Sequence, residues 1–334
     1  MLNWIRTRSR RDLLLACLVP CGVLAGAGVF LTMGVRPVEH TVRHEVRHRV
    51  ERAEHGGGGI AYDQSFDVGS RGRLEVHVGD VDVAVSNGSG EAQVILRIDD
   101  HEASADLLDD LGFEVEASSG RLTIRTEERD RSWRDHDYDL SLEVTVPGDF
   151  DVYVQTGDGD VSVGSFTGDV QVQTGDGDVA VGWSAGSVLR VQTGDGDIAV
   201  AGAESRTVHM QTGDGDVTAA SLSAEEITIR TGDGDIDIQD LSGALRASTG
   251  DGDVQVRVTR FEGIEIQSGD GDITVFAPVG ISADVRFIGS DFLIGEGFAL
   301  PVRIEGRTAE GILNGGGPEL SIRVGDGTIR LIER

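Results

Sequence analysis

A counted interval constrains this 334-residue chain more than any other feature. The phrase QTGDGDV or a near copy occurs seven times. The residues opening its turns are Thr156, Thr174, Thr193, Thr212, Thr231, Thr249 and Ser268, spaced by 18, 19, 19, 19, 18 and 19 residues. A fixed period in this range is the mark of a solenoid, whose repeats bury their apolar faces only by stacking on neighbours.

Aligned on that residue, the repeats fall into columns. Five positions later stand Val161, Val179, Ile198, Val217, Ile236, Val254 and Ile273; seven later stand Val163, Val181, Val200, Ala219, Ile238, Val256 and Val275. Ser162, Ala180, Ala199, Thr218, Asp237, Gln255 and Thr274 separate them, which is the period-two alternation of a half-buried strand. A second strand precedes each turn, with Val154, Val172, Val191, Met210, Ile229, Ala247 and Ile266 on its inward side. Each repeat therefore supplies two short strands and two corners. One corner is the constant GDG, whose glycines are expected to supply positive φ and room for a bend. The other corner varies, and it takes up the one-residue differences in length.

An antiparallel meander with GDG hairpins would not require residues a full repeat apart to match. Stacked coils would, because equivalent positions become neighbours about 4.8 Å apart. The expected fold is all-β: a single-domain β-solenoid (β-helix) with 18–19-residue coils over 150–286, preceded by one N-terminal transmembrane helix. Residues 60–149 read as irregular N-terminal coils or a cap, with one short helix in SADLLDDLG, and 287–334 as C-terminal coils or a cap. Such ends hide a solenoid's core and block edge pairing.

Ahead of the coils, residues 1–12 are basic and 13–35 run for 23 positions without a charge, long enough to span a bilayer. A cleavable signal peptide is the rival reading, with Ala25-Gly26-Ala27 as its cleavage site, but GVFLTMGV continues the apolar run beyond it. A twin-arginine signal (SRRDLL) and a lipobox before Cys17 are weaker matches. Arginines flank both sides of the run. Large C-terminal domains are translocated largely regardless of charge, so the bulk of this single-pass membrane protein is expected on the extracytoplasmic side. Residues 36–59 read as a charged stalk and glycine linker. Its His40, His44 and His48 have the spacing of a helical metal chelate, yet arginines crowd the same turns and favour a solvated helix.

Charge excludes several classes. There are 58 acidic and 29 basic residues, every basic one an arginine, for a net charge of −29. Such a chain repels phosphate backbones, so no nucleic-acid partner is expected. Without lysine there is no P-loop cation and no Schiff base. The only cysteines, Cys17 and Cys21, lie in the apolar run, so the remainder is held by its core and not by disulfides.

An apolar anchor, the stretch FDVGSRGRLEVHVGDVDVAV, the junction VTVPGDFDVYVQTGDGDV, serial T-x-x-G-D-[VI] turns and the closing GGGPELSIRVGDGTIRL together resemble the bacterial putative-adhesin β-strand-repeat family, a domain of unknown function. The resemblance covers about 60–331. It implies a β-helical envelope domain and brings no catalytic residues with it. The chain departs from the usual turn in carrying aspartate before the second glycine.

The fourteen turn aspartates are Asp158 and Asp160, Asp176 and Asp178, Asp195 and Asp197, Asp214 and Asp216, Asp233 and Asp235, Asp251 and Asp253, and Asp270 and Asp272. Acid–base catalysis needs one site whose two carboxyl groups differ in environment, whereas these pairs occupy near-identical settings. No cysteine nucleophile is present in the repeats, and His209 falls on an exposed strand column. No enzyme activity, catalytic residue or cofactor is therefore expected.

Calcium is the alternative, since GDGDV partly matches the calcium β-roll repeat and stacked carboxylates repel one another by about 1 kcal/mol per pair in water. Against it, the acid falls one position early, and an aspartate can hydrogen-bond its own corner. The expected function is a membrane-anchored envelope solenoid of structural, adhesive or binding type with an envelope protein or glycan as partner. The alternatives are a calcium-binding repeat module on the fourteen aspartates and a glycan-active enzyme on a β-helix.

Overall fold

The computed structural model describes residues 59–99, 108, 111–127, 139–298 and 303–334. The expected transmembrane helix, the stalk with its three histidines, both cysteines and most of SADLLDDLG lie outside the described residues. Among those described, no helix is long and apolar enough to cross a membrane. Gly58–Arg334 is a compact unit, and every element assigned in it is a strand.

The repeats are coils, not hairpins. Each strand pairs in parallel with its counterpart one repeat away: Val179 faces Ile198, Ile198 faces Val217, and Val217 faces Ile236. On the other side of the coil Val172 faces Val191, which faces Met210, which faces Ile229. The period-two alternation follows directly, since side chains one residue apart point to opposite faces of a sheet. Two apolar columns from each of the two sheets meet inside the coil. Val179, Ile198 and Val217 have no exposed surface, and neither do Val191, Met210 and Ile229. Burying each such side chain contributes about 1.5–3 kcal/mol before the entropy of ordering it is subtracted.

The stacking order departs from the sequence order at both ends. Arg71–His77 and Asp82–Gly88 form a layer that lies between two later ones. On one side Arg71–His77 pairs with Arg121–Arg125, and on the other with Asp149–Gln155. Asp82–Gly88 likewise lies between Asp139–Pro147 and Val161–Val163. At the far end, the closing strands Glu319–Val324 and Thr328–Glu333 stack on Val254–Ser268 and Ile273–Ala277, leaving Ala283–Ile288 and Asp291–Ile294 outside them.

The outer layers are then covered by antiparallel strands. Glu114–Ser118 pairs with Arg121–Arg125, Ala92–Asp99 pairs with Asp139–Pro147 and is itself covered by Gly59–Phe66, and Thr308–Leu313 pairs with Ala283–Ile288. Switching to antiparallel pairing interrupts the periodic template that an open parallel edge would offer to another chain.

Candidate functional site

The GDGD corner is a hydrogen-bonded spine running through the stack. Its opening threonine, or serine in the seventh repeat, is buried throughout. Thr174 Oγ1 donates to the carbonyl oxygens of Gly157 and Gly159 in the preceding layer, at 3.0 and 2.9 Å. Thr193, Thr212, Thr231 and Thr249 repeat the bond to the second glycine at 2.8–2.9 Å, and Ser268 makes it at 3.1 Å. A hydroxyl is needed here because a buried peptide carbonyl without a donor is costly.

The second aspartate works in the opposite direction. Asp160 Oδ1 accepts the backbone N–H of Asp178 at 2.9 Å, and the same bond links Asp178 to Asp197, Asp197 to Asp216 and Asp216 to Asp235 at 2.8 Å. Asp235 to Asp253 and Asp253 to Asp272 follow at 2.7 Å. The series begins one layer earlier, where Asp82 Oδ1 receives the N–H of Asp160 at 2.8 Å. It ends where Asp272 Oδ1 takes the Thr328 N–H and its Oδ2 takes Arg330 Nη1, both at 2.7 Å. The Arg330 guanidinium, helped by the Thr328 amide, holds the Asp272 carboxyl below the usual carboxylate range.

These contacts correct two expectations. The carboxylates serve the next layer and not their own corner. The GDG glycines are also not there for positive φ, since none of them has it. They are required by close approach: a Cβ on Gly177 would collide with the Gly159 carbonyl, and the same holds for each second glycine up the stack. The first aspartates, Asp158, Asp176, Asp195, Asp214, Asp233, Asp251 and Asp270, are all exposed. Their Oδ1 atoms lie against the next layer's first glycine, as with Asp214 beside Gly232 and Asp251 beside Gly269.

Sequence reading missed the rung at the N-terminal end. Gly79-Asp80-Val81-Asp82 is a turn of the same kind, receiving Thr156 Oγ1 on the Gly79 and Val81 carbonyls at 2.6 and 2.8 Å. Its signal was the likeness of GDVDVAV to GDGDVAV, obscured by Val81 in place of glycine.

The spine separates charge from hydrogen bonding. Asp216→Asn keeps an oxygen acceptor for the Asp235 N–H and removes one charge from the column, so its melting temperature should equal or exceed that of the parent. Asp216→Ala removes the acceptor and should cost about 1.5–3 kcal/mol, the range for a bond to a charged group. Chemical denaturation of both variants checks the assignment, and equal losses would contradict it.

No group of three or more His, Cys, Asp or Glu side chains converges as a metal site among the described residues. His209 is half-buried and not fully exposed as expected. Burial holds its imidazole below the usual range, and Arg190 and Arg230 act in the same direction. Two buried hydroxyls, those of Ser184 and Ser205, have no hydrogen-bond partner among the described residues. Ser184 is fully buried, so Ser184→Ala should stabilise the fold by about 1 kcal/mol by removing an unsatisfied polar group. A lowered melting temperature for that variant would count against it.

Parallel coils, closed inside by apolar columns and tied at one corner by hydroxyl–carbonyl and carboxylate–amide bonds, define an all-β repeat protein of the solenoid type. The Toastrack DUF4097 family model matches residues 72–331. The chain belongs to that family, in agreement with the resemblance read from its turns. Among solved structures, it is similar to a putative adhesin from Parabacteroides merdae at 10% identity, covering 83% of this chain and 98% of that one with a TM-score of 0.49. It is also similar to a putative lipid binding protein from Parabacteroides distasonis (12% identity, 83% and 98% coverage, TM-score 0.46). A putative adhesin from Bacteroides fragilis matches at 12% identity, with 81% and 96% coverage and a TM-score of 0.39. No curated protein matches the chain.

Proposed function

We propose that this protein is a non-catalytic binding module of the cell envelope, anchored by residues 13–35 and displaying its coils on the extracytoplasmic side to an envelope protein or glycan. The observation that carries this reading is the use made of the turn acids. The second aspartates bind the backbone of the next layer in one repeated arrangement, which supports a scaffolding role over an acid–base pair. What remains outward on the two sheets is a regular array of polar and small side chains. Such an array suits recognition over an extended surface.

The test has two parts. Protease added to spheroplasts should digest the coils and leave a small membrane fragment, and the purified full chain should bind isolated envelopes saturably with no dependence on chelator. Protection of the coils until lysis would reverse the orientation, and absence of saturable binding would remove the binding role. The calcium alternative would be promoted by a large calcium-specific rise in melting temperature at constant ionic strength. That rise would have to disappear when Asp197, Asp216 and Asp235 are changed to Asn.

A further inference from the structure

The corner opposite the aspartate spine opens into a groove of about 710 Å³. It crosses five successive layers, from Asp151 through Asp169, Ser187 and Arg206 to Glu225, a length of about 20 Å at the spacing of stacked strands. Chain length varies at this corner, and the strand pairing slips there between Ala224 and Glu226.

Three properties of the lining restrict what could occupy it. The lining has no aromatic side chain and only alanine as an apolar one, so an acyl chain would find no hydrophobic surface. Its acids, Asp151, Asp169, Glu204 and Glu225, outnumber its arginines, Arg206 and Arg260. In a chain of net charge −29, this disfavours an anionic ligand. The strands beside it are paired on both edges, so an extended peptide has no free main-chain ladder to join.

Hydrogen-bonding capacity, by contrast, is left over. Ser205 pairs with Ala224 and Thr207 with Glu226, which puts Arg206 and Glu225 at equivalent positions in adjacent layers. Their side chains nonetheless form no ion pair with each other, and neither they nor Glu204 have a side-chain hydrogen bond or ion pair with any described residue. Carboxylates and guanidinium groups can each make two hydrogen bonds to neighbouring hydroxyls. Glu204, Arg206 and Glu225 offer them on two adjacent coils, while Asp151 and Asp169 each give one oxygen to a backbone N–H of the next coil at 3.0 Å and keep the other.

We propose that this groove binds an uncharged linear saccharide chain lying along the stacking axis. The proposal deepens the envelope-binding reading above and rests on it. The full chain in mild detergent would be applied to an array of uncharged and anionic oligosaccharides of several sugars each. Three variants accompany it. Ser187→Trp fills the groove from an exposed position, Arg206→Ala removes a donor, and Asp214→Asn, at the opposite corner, is the control. Circular dichroism establishes that all three are folded.

Uncharged glycans should bind the parent and the control alike and bind the two groove variants at least about tenfold more weakly. Binding to anionic glycans alone, binding to none, or equal loss in the control would overturn the proposal. Saturable envelope binding that survives Ser187→Trp would leave the general reading intact and remove only the groove.

Discussion

Val217→Asp is expected to unfold the stack or split it at the mutated layer, while Thr218→Asp, one residue along, leaves it folded. Val217 is fully buried between Ile198 and Ile236 in the adjacent layers. A carboxylate there would face apolar side chains from both layers and both sheets, with no donor to pair with. The desolvation penalty is several kcal/mol even if the group takes up a proton. Thr218 points outward and pairs with Asp237 of the next layer. An added charge there meets one like neighbour across water, a repulsion of about 1 kcal/mol. Because coils contact only their neighbours, the damage from Val217→Asp should centre on its own layer and those beside it. Thermal melts give the difference in stability and hydrogen exchange locates it. Equal melting temperatures would refute the buried column.

Gly215→Ala is expected to be nearly as damaging, for a reason independent of backbone dihedrals. Gly215 has no positive φ, so an alanine loses nothing in conformational preference. The new Cβ, however, would sit 2.5 Å from the Gly196 carbonyl carbon and 3.0 Å from the Asp195 oxygen, and closer still to the Gly196 oxygen. These are backbone atoms, fixed by the Thr212 bond to that same Gly196 oxygen at 2.8 Å and by the Asp216 N–H bond to Asp197 at 2.8 Å. Relief requires the two layers to move apart, which weakens both bonds and the strand pairing beside them. A loss of about 3 kcal/mol or more follows, at or above the top of the range for overpacking a side chain. Gly90→Ala is the contrasting case. Gly90 has φ of 129° with nothing within 4 Å of the added atom, so it pays only a local conformational cost. If Gly215→Ala melts no lower than Gly90→Ala, close approach is not what selects the turn glycines.

Much of this architecture can be read along the chain because a solenoid is translationally regular. Val161, Val179, Ile198 and Val217 recur at intervals of 18 or 19 residues, and the polar residues between the inward positions alternate with them. Both are local patterns, and stacking the coils converts them directly into the observed register. Membership of a β-strand-repeat family was legible for the same reason, since it rests on repeated turns.

Three-dimensional proximity decided the rest. The layer containing Glu75 and Ala84 sits inside later layers, and the closing strands sit inside earlier ones, because end pairing is set by nonlocal edges that follow no sequence interval. The direction of Asp216 and the need for a bare Gly215 depend on how near the adjacent coil lies, a distance no single repeat encodes. The groove, likewise, gathers side chains from six coils at the one corner where the period fails. Periodicity shows which residues recur, but only the packing of one layer on another determines what each recurring atom touches.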